Sequence, residues 1–515
     1  MLSAMHVWKL NVVLALTLAA AAQTPGVRGV VVAGNGLPIA GATVTAAGAA
    51  TRTNQAGEFT LPAAGTTVQA AAPGYQTATA TAHGAEVRIV LHPAPLAESV
   101  TVTATAANQN VASVPLATAV MGAARIRASA PVHADALLRE FSDLGTFRQT
   151  SSLSAHPTTQ GVSLLGTGSS GASRALVLLD GLPLNDFYGG WVDWLRVPDA
   201  ALATMTVVSG GASPLYGNDA LSGVIGLETR APSATHFNLR TGGGGLGTGL
   251  TDGSGVIAGR NLALAVRARG VHVGGYVPAA NPGAVDSNAG VTAQDWAPLL
   301  RWTPSPRALF ELSSEYFAED RRNGTQLQVN GTRLRQLGLR GIISSHGTWN
   351  GSLFGQSEDF HSTFSSVADD RNSEKLVLSQ QVPAHAWGGG LDWSAGGAAW
   401  TLLAGGSFTQ IAAVDSESTP FVQGQPARQE NGRQKLAGGF VEAGWMPRPD
   451  WRWTATLRRD GWRNYGAFEH TPTADTLYPS RSSLAWSPSL GTVWTARPWL
   501  ALRLSAYEAF RAPTL

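Results

Sequence analysis

Cysteine is absent from all 515 residues, so no disulfide can brace the chain in an oxidising compartment. Charge is scarce as well: Asp, Glu, Lys and Arg make up 14% of the sequence, about half the usual share. The 36 Lys+Arg nearly balance the 34 Asp+Glu. No basic cluster stands out, which argues against a nucleic-acid partner. Beyond the N-terminal segment no run offers the roughly 20 uninterrupted apolar residues that a spanning helix needs. There is no G-x-S-x-G elbow, paired zinc motif or lysine-bearing phosphate loop. An enzyme reading therefore has no footing, and no cofactor or metal is implied.

One glycine motif could suggest otherwise. Gly166, Gly168 and Gly171 stand at G-x-G-x-x-G spacing after an apolar run. A dinucleotide loop would need a helix directly after it and an acidic residue about 20 positions on. The chain instead continues with Arg174 to Leu179, closed by Asp180-Gly181. Six apolar-rich residues ending in Asp-Gly read as a buried strand entering a turn.

What the chain does have is glycine, 60 residues, and tryptophan, 16. Low charge with these two suits either a glycine-rich soluble protein or a membrane barrel with a lipid-facing surface. The N-terminus favours export. Lys9, an apolar core from Leu10 to Leu18 and Ala20-Ala21-Ala22 before Gln23 have the layout of a secretory signal peptide over residues 1–22. An exported chain without a spanning helix can enter a membrane only as a barrel.

Residues 26–92 read as a small all-β unit, with strands expected at Val27 to Val32, Ala42 to Ala46, Gly57 to Leu61, Val68 to Ala72 and Val87 to Leu91. The stretch "GVVVAGNGLPIAGATVTAAGAATRTNQAGEFTL", with "APGYQ" later, resembles the carboxypeptidase regulatory-like domain, a β-sandwich. His83 and Glu86 have an H-x-x-E spacing, but they lie in a short polar connection and lack a third ligand downstream. Residues 95–110, "PLAESVTVTATAANQN", read as a linker with one β-prone run. In Glu98-Ser99-Val100-Thr101-Val102-Thr103 valine alternates with small hydroxyl residues, so this run could pair along a partner's sheet edge. It resembles a TonB box, the peptide that TonB-dependent outer-membrane receptors offer to the energising protein TonB.

Residues 111–230 extend that resemblance. "TQGVSLLGTGSSGASRALVLLDGLPLND" and "GGASPLYGNDALSGVIGLETRAP" are similar to two marked stretches of the receptors' plug domain, with Gly166, Gly168, Gly171, Asp180, Gly181, Gly210, Tyr216, Gly217 and Gly223 at motif positions. The glycine motif then becomes a plug loop between strands. Two positions depart from the family. Leu165 and Ser209 stand where arginines are common, and such arginines often pair with acids of the barrel wall. How this plug is held is left open.

From about residue 235 the period is two. In Trp451 to Arg458 odd positions are apolar and even ones polar, and Leu500, Leu502, Leu504 and Ala506 repeat the pattern. A soluble sandwich would alternate too. The turns separate the cases: Trp302, Trp349, Trp393, Trp445 and Trp494 recur at strand-end turns 47, 44, 52 and 49 residues apart, an interval suited to two membrane-length strands, a tight turn and a long loop. Tryptophan beside each tight turn fits an aromatic girdle. Polar stretches such as "AEDRRNGTQLQVNGT" and "DSESTPFVQGQPARQENGRQ" are expected to be the long outer loops. The count reaches thirteen strands, an odd number that cannot close antiparallel edge to edge. With about 22 strands in large transporters, a truncated chain is expected, lacking on the order of 210 residues.

The expected fold is mainly β: an N-terminal β-sandwich, an α+β plug domain and part of a transmembrane antiparallel β-barrel over 235–515. The resemblance implies import of a scarce ligand (siderophore, cobalamin, other metal complex or glycan), with TonB and outer-membrane lipid as partners. The alternative is a non-transporting surface protein or adhesin that keeps its plug as a stopper.

Overall fold

The computed structural model describes residues 27–515 apart from 34–35, 47–48, 62–66, 73–74, 76, 82–85, 92–113, 130–132, 169, 421–426 and 498. The expected signal segment, His83 and the whole of Glu98 to Thr103 lie outside the described residues. The chain forms two compact units, Met1–Ala97 and Glu98–Leu515.

In the first unit β1 (Val27–Ala33) lies between β4 (Glu58–Leu61), antiparallel, and β7 (Glu86–Leu91), parallel, where β4 and β7 are numbered in chain order. A second sheet runs β3-β2-β5-β6, from β2 (Thr43–Ala46), β3 (Ala49–Arg52), β5 (Thr67–Ala71) and β6 (Ala78–Thr81). Their inner faces share one apolar core that includes Val31, Val44, Leu61, Val68, Ile89 and Leu91. Among the described residues seven strands form where the sequence suggests five. The extra two, "AATR" and "ATAT", are built mostly of alanine and threonine with no bulky apolar residue, so they carry little strand signal of their own.

The second unit begins with a mixed sheet ordered β12-β11-β14-β13-β8. Its strands are β8 (Ala117–Gly122), β11 (Ala175–Leu179), β12 (Leu182–Pro183), β13 (Leu202–Ser209) and β14 (Gly223–Thr229). A hairpin of β9 (Leu144–Thr146) and β10 (Val162–Leu164) and the short helices α1 (Ala123–Ser129), α2 (Asp135–Leu138) and α3 (Ser213–Tyr216) accompany it. Every residue of β11 is buried, and Leu164, Val177, Trp194, Met205 and Ile225 join one core.

Around this plug runs an antiparallel sheet of fourteen strands: β15 (His236–Gly244), β16 (Thr248–Ala258), β17 (Leu262–Tyr276), β18 (Asp286–Ser305), β19 (Ala308–Thr325), β20 (Val329–Ser344), β21 (Thr348–Val367), β22 (Glu374–Gly396), β23 (Trp400–Ser418), β24 (Arg428–Arg448), β25 (Trp451–Thr471), β26 (Ala474–Leu477), β27 (Arg481–Arg497) and β28 (Leu500–Tyr507). Thirteen of these follow one path from β15 to β28, and β26 pairs β25 off that path. Among the described residues no ladder joins β15 to β28. The alternation in the sequence is the alternation of faces. In β25 Leu457 is 51% exposed and its neighbour Arg458 only 2%.

The tryptophans mark two rims. Near the tight turns Trp349 opposes Trp393, Trp400 opposes Trp445, and Trp451 opposes Trp494 in neighbouring strands. A second set, Trp296, Trp387 and Trp486, is exposed six to eight residues further along the strands. At about 3.3 Å per residue the sets stand roughly 20–26 Å apart along the strand, or roughly 15–20 Å of height at a strand tilt of about 35–45°, within the extent of an apolar membrane band about 25 Å tall. Strands of up to 23 residues continue well past it. One expected outer loop is therefore strand: "AEDRRNGTQLQVNGT" lies in β19 and β20, joined by only Gln326 to Gln328. A polar hairpin and a polar loop share one composition, and the ladder from Arg322 to Val329 decides for the hairpin.

Candidate functional site: the plug and its seat in the wall

The plug motif residues shape turns rather than contact a common centre. Gly166 (φ +63°) and Gly168 (φ +86°) bend the chain between β10 and β11, and Leu165 shares their left-handed geometry at φ +53°. Among the described residues no helix comes between them and β11. Gly171 is needed for close approach, since a Cβ there would strike the Thr158 carbonyl. Asp180 (φ +51°) and Gly181 (φ +84°) join β11 to β12 as a two-residue turn with both central residues at positive φ, the type I′ requirement. Gly210 (φ +117°) and Gly223 (φ +143°) flank the β13–β14 connection, where Tyr216 ends α3. At Gly217 (φ +73°) a Cβ would stand 2.6 Å from the Arg458 guanidinium of the wall.

That last contact belongs to a set that answers how the plug is held. Arg196, fully buried in the plug, donates Nε and Nη2 to the two carboxylate oxygens of Glu315 on β19, each at 2.8 Å. Elsewhere the charges are reversed and the wall supplies the guanidinium. Asp199 receives Arg240 Nη2 at 2.6 Å and also Arg269, which donates to the Val197 carbonyl at 2.8 Å. Asp180 accepts from the Thr229 amide at 2.8 Å and from Arg267 Nη1 at 3.1 Å. Arg321 forks onto Glu319 while its Nη1 donates to the Ser152 and Ala155 carbonyls at 2.7 and 2.9 Å. Arg458 does the same with Asp460 and the Leu215 carbonyl, at 3.2 Å to the latter. The departures at 165 and 209 are thus internal matters. Leu165 donates its amide to the Asp143 carbonyl, and the Ser209 hydroxyl donates to the Asp143 carboxylate, both within the plug.

Burial moves several plug groups far from their usual range. Burial, with Glu319 close by, pushes Asp193 up to about 8. Burial, reinforced by Arg321, pushes His156 down to about 4. His156 stays neutral between Thr158 and Ser362, its ring against Phe360. Nearby Trp191 also packs on Phe360 at 5.4 Å, and Tyr188 donates to Asp415 at 2.9 Å.

Between plug and wall lies a cavity of about 500 Å³. Leu179, Asn185 and Asp219 of the plug line it with Arg267, Asp392 and Phe408 of the wall. Its surface is mixed in charge, suited to a polar solute or water rather than to a hydrocarbon. Local pattern in the sequence points to turns and not to the seat: nothing in it singles out Arg196, Asp199, Arg240, Arg269, Arg321 or Arg458. For those on the wall, the one available signal was position on the polar face of an alternating strand.

Comparison with known proteins matches this architecture. Residues 110–224 match the TonB-dependent Receptor Plug Domain, and residues 264–515 match the TonB dependent receptor-like β-barrel. Similar solved structures include the copper transporter OprC (16% identity, TM-score 0.62, over 78% of this chain and 65% of that one). The ferric yersiniabactin uptake receptor FyuA from Yersinia pestis gives 12%, 0.59, 75% and 63% in the same order, and the ferric citrate transporter FecA, unliganded, 12%, 0.62, 78% and 64%. The chain thus spans a little under two thirds of the length of these structures. No curated protein sequence matches it. At such identities the structural likeness is one of fold, but the two family models together cover more than two thirds of the chain in the expected order. The chain thus carries the plug domain and the β-barrel strands of the TonB-dependent receptors, a family of the outer membrane.

Proposed function

We propose that the protein is an active importer: it captures a scarce small ligand outside the cell and passes it through the barrel when TonB pulls the plug. The observation that carries this reading is the seat. The plug is a cohesive body, yet much of its hold on the wall is hydrogen bonds and ion pairs that water can replace, beside a cavity of about 500 Å³. In this reading residues 26–92 are a carboxypeptidase regulatory-like domain, 95–110 a linker carrying the handle Glu98 to Thr103, 111–230 the plug and 235–515 barrel. Valine alternating with threonine suits that handle to pairing with a strand of TonB. The motif glycines, with Asp180 and Tyr216, set the plug's turns. No step of the cycle calls for covalent chemistry.

The similar structures are named for copper, ferric yersiniabactin and ferric citrate. A metal ion or metal complex is accordingly the first class of ligand to test, with cobalamin and glycans after it. Growth of a deletion strain across defined iron, copper and carbon sources would identify the ligand. Val100→Pro then tests the mechanism, because proline removes a backbone donor and fixes φ. Uptake should be lost while binding at the cell surface stays within about twofold. Unchanged uptake would remove the role given to residues 98–103. Binding without uptake in the unaltered protein would favour the adhesin.

A further inference from the structure

After β28 the chain leaves the wall and turns inward against the plug. The Phe510 amide donates to Ser213 Oγ at 3.3 Å, and that hydroxyl donates to the Phe510 carbonyl at 3.2 Å. The Ala512 amide donates to Asn218 Oδ1 at 2.7 Å, and Arg511 Nε meets Asp219 Oδ1 at 3.4 Å. From the wall side Gln434 of β24 donates to the Pro513 carbonyl at 2.7 Å. The plug keeps room for this segment: a Cβ on Gly211 would stand 2.7 Å from that of Ala509, and one on Gly190 2.7 Å from the Arg511 guanidinium. Arg511, Ala512, Pro513 and Thr514 form one side of the cavity.

We propose that residues 508–515 are a strap, covalently part of the wall, whose bonds to the Ser213–Asp219 turn hold the plug shut, and that its release opens the cavity along the wall. Asn218 and Arg511 are the catch. Each joins a side chain of one body to the other body, so each breaks as the bodies part. The strap crosses at α3, and Arg458 grips the same turn from β25 through the Leu215 carbonyl. The turn is therefore held on two sides, by Arg458 of β25 and by the strap, whose residues 511–514 border the cavity. This proposal rests on the import reading.

The test uses the full-length receptor in planar bilayers, with potassium chloride current as the probe and mild urea to loosen the plug. Current needs neither TonB nor ligand, so the test stands even if the import reading fails. Because the chain has no cysteine, Asn218→Cys with Ala512→Cys introduces one possible disulfide. Oxidised, this variant should stay shut in urea that opens the wild type, and reductant should restore opening at least tenfold. Arg511→Ala, which loses one charged contact, should open about tenfold more often than wild type. Equal opening in the oxidised and reduced states would overturn the proposal, as would wild-type behaviour of Arg511→Ala. Failure of the pair to oxidise would overturn the contact itself.

Discussion

Inside the plug, cohesion is mainly apolar: Leu164, Val177, Trp194, Met205 and Ile225 are buried against one another with no charge among them, and one buried cluster, Asp135 with His133 and Arg148, stands apart from them. Where the plug meets the wall, guanidinium and carboxylate groups dominate, with small apolar contacts that include Leu195 among Val271, Val291, Phe317 and Leu334, Trp191 against Phe360 and Val382, and Phe187 stacked on Phe354. The two regions answer differently to water. Apolar surface drawn apart loses its stabilisation in full, at about 25 cal/mol per Å². An ion pair drawn apart into water regains hydration, which offsets most of the attraction lost. A body bound internally by the first kind of contact and externally largely by the second can leave its seat without unfolding.

The largest effect should come from striking the core. Trp194 is fully buried, and Trp194→Ala should cost about 3–5 kcal/mol through lost burial and the cavity left behind. Trypsin digestion of the folded receptor should then cut within residues 111–230 while the wall stays intact. An uncut plug would mean that Trp194 bears on the seat rather than on the body.

Arg196→Ala should act on the seat alone. It leaves Glu315 buried without its partner, at a cost of about 3 kcal/mol. Replacing both residues, as Arg196→Met with Glu315→Leu, should recover most of that loss. Urea-driven opening of the pore measures the seat, and near-ultraviolet circular dichroism tracks the plug's own packing. If the single change lowered both signals together, plug and seat would be one cooperative unit and the comparison would fail.

The same contrast explains what could be read from the sequence. Strands and turns are local. Asp180-Gly181 announces its turn, and Leu457 beside Arg458 announces the two faces of β25. The spaced tryptophans announce the tight turns, and the thirteen strands counted from them are the thirteen on the path from β15 to β28. The seat is not local. Arg196 meets Glu315 across 119 positions, and Arg458 meets the Leu215 carbonyl across 243. Alternation says that Arg267 and Arg269 face inward, but nothing in it says which plug carboxylate each will meet. A polar hairpin and a polar loop also look alike, which is why β19 and β20 run past the expected loop boundary.

The last effect, and the sharpest, is on pH. Asp193 titrates near 8 in the folded plug and near 3.8 when exposed, so between those values the folded state holds a proton that the unfolded state has lost. Its contribution to stability is present at low pH and lost as pH rises toward 8. His156 runs the other way, at about 4 folded against 6.5 exposed, so its contribution is present above 6.5 and lost as pH falls toward 4. From about pH 4 to 6.5 the two slopes oppose each other, and above 6.5 only the Asp193 slope remains, at up to about 1.4 kcal/mol per pH unit for one proton. Asp193→Asn removes one slope and leaves the other. Relative to wild type, the variant should gain stability steadily from pH 5 to pH 8, read as the difference in urea midpoint of the plug's near-ultraviolet circular dichroism at each pH. A difference that stays flat across this range would mean that Asp193 is ionised in the seated plug, with Arg196 and Arg321 outweighing burial and Glu319 around it.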